Sequence, residues 1–166
     1  LLYGSAVMTP CNPVEVRSFN SFEITYTVGR IGLDDTGGIR VCFRMISDFG
    51  KLQITDPSSP NFLSAKCSGS GKISLRIAPE GQRPWSLAIT AQLNGGYLNE
   101  GEQIILTFGD TSQGSPGFMM QTFAEGGFAN PSEFKQALTN GAWSVCVGTA
   151  ITNPYLLTKQ FVGENS

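Results

Sequence analysis

The stretch Phe22-Glu23-Ile24-Thr25-Tyr26-Thr27-Val28 decides the fold. Large apolar residues stand at 22, 24, 26 and 28, with Glu23, Thr25 and Thr27 between them. A β-strand sends successive side chains to opposite faces, so this spacing predicts a strand with one buried and one wet face. Gly29 ends it. The same period runs outward from there. In residues 39–46, Ile39, Val41, Phe43 and Met45 share one face, and Arg40, Cys42 and Arg44 the other. Residues 73–77 alternate again, and in 85–93 Trp85, Leu87, Ile89 and Ala91 line up. Residues 104–108 are more apolar throughout and predict a central strand. A further strand is expected over 118–123, after Gly114-Ser115-Pro116-Gly117. Turn chemistry separates these runs at 34–38 (Asp-Asp-Thr-Gly-Gly), 56–61, 69–71 and 94–96 (Asn-Gly-Gly). Many short strands with regular punctuation predict an antiparallel β-sandwich over residues 1–124.

Near residue 130 the pattern changes. Asn130-Pro131-Ser132-Glu133 is an N-cap followed by proline at the first helical position, and Asn140-Gly141 is a stop. A helix is therefore expected from Ser132 to about Thr139. A short buried strand over 142–147 follows, then a turn at Gly148-Thr149 and a last helix from Tyr155 to about Val162. Strand, turn and helix in that order is α/β grammar. The expected fold is mainly β: a sandwich with a C-terminal β/α appendage over 125–166.

Composition narrows the function. A chain of 166 residues can bury a real core. A (β/α)₈ barrel takes roughly 200 residues or more, so length excludes a complete one. The net charge is −2 and there is no long basic run, which argues against nucleic acid as a partner. No apolar run approaches the roughly 20 residues that cross a bilayer. The four cysteines, at 11, 42, 67 and 146, have no C-x-x-C spacing and read as free thiols in a reducing compartment, so a cytoplasmic location is expected. The start lacks the basic and apolar segments of a signal peptide, and the missing initial Met reads as a piece of a longer protein. Histidine is absent, which removes serine–histidine and cysteine–histidine nucleophile systems from this chain.

Two constellations in the first part are ambiguous. Asp34, Asp35, Asp48, Asp56 and Asp110 could offer oxygens to a hard cation, but they lack EF-hand spacing, and building turns is the preferred role. No metal site and no cofactor is expected. Arg40, Arg44, Arg83 and Trp85 could form a carbohydrate or anion surface; the preferred reading puts Trp85 in the core and the arginines on a solvated face. Gly109-Asp110-Thr111-Ser112 is neither a P-loop nor a serine elbow.

The tail, residues 124–162, resembles the C-terminal end of bacterial N-acylmannosamine-6-phosphate 2-epimerases. The residues that carry this are Ala124-Glu125-Gly126, Asn130-Pro131, Gly141-Ala142, Val145, Val147-Gly148-Thr149-Ala150-Ile151-Thr152, Pro154 and Thr158-Lys159-Gln160-Phe161. Asn153 stands where that family commonly has arginine, which leaves one phosphate contact or salt bridge unassigned. The resemblance implies the last unit of a phosphate-binding barrel, with Glu125 as an acid/base group at the sugar's C2. Gly126, Gly127, Gly148 and Thr149 would bring backbone N–H groups to a sugar phosphate, a partner that barrel loops and helix N-termini favour.

Residues 1–124 resemble the N-terminal β-sandwich of an uncharacterised bacterial family that carries a PHP-type metal-dependent hydrolase domain downstream. The matching pieces include Phe22 to Gly29, Gly32-Leu33-Asp34-Asp35-Thr36-Gly37-Gly38-Ile39, Ser47-Asp48-Phe49-Gly50, Arg83-Pro84-Trp85 and Gly109-Asp110-Thr111. That resemblance implies a non-catalytic accessory module whose catalytic partner domain is absent from this chain. The two resemblances meet at Phe123-Ala124-Glu125-Gly126-Gly127-Phe128, which predicts a fusion. Two functions follow: an accessory module fused to an incomplete epimerase tail, or an epimerase fragment of amino-sugar and sialic acid catabolism. No epimerase turnover is expected of the chain alone, because the family's other active-site groups come from earlier barrel strands.

Overall fold

A computed structural model of the chain describes residues 1–44, 49–79, 85–121, 123–125, 130–142 and 144–146, without the side chains of 44, 123–125 and 144–146. The chain divides into two units, Leu1–Met120 and Gln121–Ser166.

The first unit is built on two antiparallel sheets. One has four strands: β1 (Ser5–Thr9), β3 (Phe22–Thr27), β8 (Gln103–Phe108) and β5 (Leu63–Cys67), in the order β1-β3-β8-β5. The other has the order β4-β7-β6, with β4 (Gly38–Arg44), β7 (Trp85–Asn94) and β6 (Lys72–Pro79). A two-stranded ribbon pairs β2 (Phe19–Asn20) with β9 (Phe118–Met119).

Period-two alternation sets the register. Phe22, Ile24 and Tyr26 of β3 stand opposite Phe108, Leu106 and Ile104 of β8, and Leu63, Ala65 and Cys67 of β5 stand opposite the same three. On the other sheet, Ile89 and Ala91 of β7 stand opposite Val41 and Ile39 of β4, and opposite Ile77 and Leu75 of β6. These two inner faces share one apolar cluster, in which Ile89, Ala91, Leu93, Ile104 and Leu106 are wholly buried. Burial of this kind contributes about 25 cal/mol per Å² of apolar surface and is the main force holding the unit together. Phe22, Phe43, Phe49, Phe108 and Phe118 close one end of the cluster, with ring centroids 5.1 to 6.3 Å apart. Most of these pairs meet edge to face, the favoured geometry for aromatic quadrupoles.

One expectation is overturned in β7. Trp85 does not join the inner row with Leu87, Ile89 and Ala91. Phe43 pairs with Leu87, but Arg44 pairs with Trp85, so the register shifts there and Ser86 is the extra residue. The bulge reverses the alternation, and Trp85 is 41 % exposed instead of lying in the core. The strand expected over 118–123 is also interrupted. Phe118 and Met119 form β9, Met120 makes a bridge to Phe49, and the next strand begins at Phe123.

In the second unit, β10 (Phe123–Glu125) pairs in parallel with β11 (Ser144–Cys146). Between them runs α1 (Pro131–Thr139). Its start follows the expected chemistry: Asn130 is extended, and its side chain accepts from the N–H groups of Ser132 and Glu133 at 3.0 and 3.1 Å. Pro131 takes the first position, where no N–H is needed. Asn140 caps the end, and Gly141 takes the positive φ of 103° that stops a helix. The expected last helix, residues 155–162, lies outside the described residues.

Candidate functional site

Of the tail's candidate residues, the structure describes only the backbone of Glu125. Glu125 is the last residue of β10, and its backbone stands opposite Cys146, the last residue of β11. Gly126 and Gly127 follow Glu125 in sequence, and Gly148 and Thr149 follow Cys146 after one residue. Gly126, Gly127, Gly148, Thr149 and the Glu125 side chain lie outside the described residues. The two parallel strands therefore bring side by side the C-terminal ends after which Gly126, Gly127, Gly148 and Thr149 follow in sequence, with Glu125 itself ending β10. Neighbouring strands lie about 4.8 Å apart.

The aspartate candidates act as turn builders. Asp56 accepts from the Ser58 N–H at 3.0 Å and from the Ser58 and Ser59 hydroxyls at 2.7 and 2.6 Å. The Ser59 and Ser58 hydroxyls stabilise its charged form and hold its carboxyl at about 2, against an ordinary 3.8. Asp110 accepts from the Ser64 hydroxyl and from the Ser112 N–H, and its carboxyl is likewise held low, chiefly by Ser64. Asp34 accepts from the Asp35 N–H, and Asp35 from the Gly95 N–H, both at 2.8 Å. Asp48 lies outside the described residues. Among the described residues no three His, Cys, Asp or Glu side chains gather as a metal cluster would.

Asp56 carries a pH prediction. Its folded pKa lies below its unfolded value, so the stabilisation is complete above about pH 4 and fades as the pH falls towards 2. Asp56→Asn should lower Tm near neutral pH, and the gap to the unmodified chain should shrink as melts are taken down to about pH 2. A gap of constant size would contradict the assignment.

Of the arginine–tryptophan constellation, Arg40 lies exposed on β4, while Trp85 is turned outward by the bulge. Arg83 and the Arg44 side chain lie outside the described residues. Sequence reasoning missed Arg76, which the register places in one row with Thr90 and Arg40. The alternation of residues 73–77 already held it on the polar face, but only pairing reveals its neighbours. A cavity of about 180 Å³ opens among Met8, Phe22, Ile24, Phe43, Phe108 and Phe118. Those side chains carry no acid, base or nucleophile, so the cavity offers no chemistry of its own. Cys11, Cys42 and Cys67 are free thiols, and among the described residues no helix is long and apolar enough to cross a membrane.

Comparison with known proteins gives one short similarity. Over 38 residues the chain is 55 % identical to a protein of Mycoplasmopsis pulmonis (strain UAB CTIP) named "Putative N-acetylmannosamine-6-phosphate 2-epimerase". The match takes in 23 % of this chain and 17 % of that protein, so the chain spans about a sixth of its relative's length. No family profile matches the chain, and no solved structure matches it. The resemblance of residues 1–124 to a hydrolase-linked sandwich gains no support from these comparisons.

Proposed function

We propose that residues 124–162 are the phosphate-gripping end of an epimerase-type β/α barrel, joined to a β unit that serves as a non-catalytic accessory module. In this reading the chain binds a sugar phosphate but does not turn it over. The observation that carries it is the parallel pairing of β10 and β11 across α1, in a chain whose other named strands all pair antiparallel. Parallel neighbours need a crossover, and a helix is the usual one. Barrel enzymes place their chemistry in the loops after the C-terminal ends of such strands, where Glu125, Gly126, Gly127, Gly148 and Thr149 stand in sequence. The length of the epimerase match, 38 residues, is close to that of the stretch carrying the resemblance, which supports the same reading.

Glycines there allow close approach of backbone N–H groups to a phosphate, and Glu125 is the acid/base group. Turnover fails because catalysis needs several groups held around one pocket. By the resemblance those groups come from earlier barrel strands, whereas the named strands before β10 pair antiparallel and do not supply them.

Calorimetry of the full chain with N-acetylmannosamine 6-phosphate tests this. Heat is expected with the phosphorylated sugar and not with N-acetylmannosamine. It should vanish in Gly148→Asp, where a carboxylate would meet the phosphate. No conversion to the gluco epimer is expected. Absence of heat at millimolar ligand removes the sugar-phosphate reading, and detectable conversion removes the statement that the chain is inactive alone.

A further inference from the structure

The outer face of the β4-β7-β6 sheet carries a second, unrelated set of groups. These three strands contain Arg40, Arg44, Lys72 and Arg76 and no acidic residue, in a chain of net charge −2. Their register arranges the outward positions in rows. Ser74, Gln92 and Gly38 form one row; Arg76, Thr90 and Arg40 form the next; Ala78, Ala88 and Cys42 follow. The bulge at Ser86 then adds Trp85 to this face. Arg40, Arg76 and Trp85 are all exposed.

We propose that this face binds an acidic oligosaccharide, with Arg40 and Arg76 gripping a sugar carboxylate and Trp85 stacking against a neighbouring ring. Arg40 and Arg76 stand on either side of Thr90, two strand spacings or about 10 Å apart at Cα. Two long guanidinium side chains reach across that gap to one anion, and the Thr90 hydroxyl beneath adds a donor. A guanidinium matches a carboxylate with two parallel N–H bonds, which a lysine does not. Beside this row lies a depression of about 320 Å³ lined by Thr36, Gly38, Ile39, Gln92 and the two arginines. Gly38 is required in this row, because a Cβ there would lie 2.3 Å from the Ala91 carbonyl oxygen of the neighbouring strand. Trp85 stands two rows further along, about 13 Å away, which suits a short oligosaccharide and not a single ring. Its indole offers an apolar face and an N–H donor together.

Other polyanions fit less well. An extended acidic peptide gains most from a strand edge, where its backbone can pair, and not from the middle of a face. Single-stranded nucleic acid is held by a series of stacking aromatics along a basic groove, whereas this face has one tryptophan. This inference concerns the first unit and does not depend on the tail's sugar-phosphate reading.

The test is calorimetry of the full chain with hexagalacturonate at low salt, beside maltohexaose, a hexaglutamate peptide and an oligothymidine. Binding of the galacturonate alone is expected. Arg40→Ala, Arg76→Ala and Trp85→Ala should each weaken it by about tenfold, and Arg76→Lys by less than Arg76→Ala. Far-ultraviolet circular dichroism confirms that each variant keeps its strands. Equal binding of maltohexaose, equal or tighter binding of the peptide or the oligothymidine, or no galacturonate binding at millimolar concentration overturns the proposal. So does a loss on Arg76→Ala with none on Trp85→Ala, which describes a plain anion patch.

Discussion

Leu106→Ala should cost about 2–5 kcal/mol of stability, the range seen when a well-packed core leucine is truncated. Leu106 is wholly buried at the middle of β8, the strand flanked by β3 and β5. It lies opposite Ile24 on one side and Ala65 on the other. Truncation loses the transfer energy of the removed methyls and leaves a cavity that two hydrogen-bonded neighbours cannot collapse into. A domain of this size has roughly 5–15 kcal/mol in total, so thermal melts should fall by at least about 5 °C. Ile105→Ala is the control. Ile105 is the next residue on the same strand but faces away, opposite Thr25 and Lys66. It should cost clearly less. If Ile105→Ala proves the more damaging, the register of β8 is off by one residue and the inner face is wrongly assigned.

Gly109→Ala should be as damaging for a different reason. Gly109 follows β8 with φ of +67°, a conformation that costs an L-residue roughly 1–2 kcal/mol. Space matters more. An added Cβ would lie 2.2 Å from the Phe118 nitrogen and 2.6 Å from the Asn20 carbonyl oxygen, and both are backbone atoms that no rotamer change can move. Here the ends of β8, β2 and β9 converge, and the Gly109 N–H donates to the Phe62 carbonyl at 2.8 Å. Opening that corner adds an overpacking cost of about 1–3 kcal/mol. Gly95→Ala makes the comparison: its φ is also positive, at +70°, but nothing lies within 4 Å of the added carbon. Chemical denaturation should separate the two, with Gly109→Ala losing the backbone and the packing terms and Gly95→Ala the backbone term only. Equal losses would mean that the corner gives way freely.

Legibility differed from element to element. The strands with strong alternation, β3, β4 and β6, were readable because their inner rows are large and apolar and their outer rows mostly polar, and β8 was readable as a short apolar run. The α1 helix was readable at both ends, since Asn130, Pro131, Asn140 and Gly141 announce their roles by local chemistry alone. β1 and β5 were missed. All five residues of β1 are exposed, so no burial contrast marks it. In β5 the inward positions after Leu63 are Ala65 and Cys67, small residues that alternate weakly. For the tail, Gly126, Gly127, Gly148 and Thr149 became candidates through the resemblance to the epimerases, and they lie outside the described residues.

The amino-acid order alone determined the classes of element, most inward rows, the turn-building aspartates and the change of grammar near residue 130. Apart from the bonds that Asp35 and Asp110 make to the distant Gly95 and Ser64, each of these depends on residues within a few positions of one another. Only the tertiary structure decided that Trp85 turns outward, that Arg40, Thr90 and Arg76 form one row, and that β10 and β11 run side by side. Those facts are set by pairing between distant segments. A single extra residue in one strand reverses every face beyond it, and no local pattern reports which partner a strand will meet.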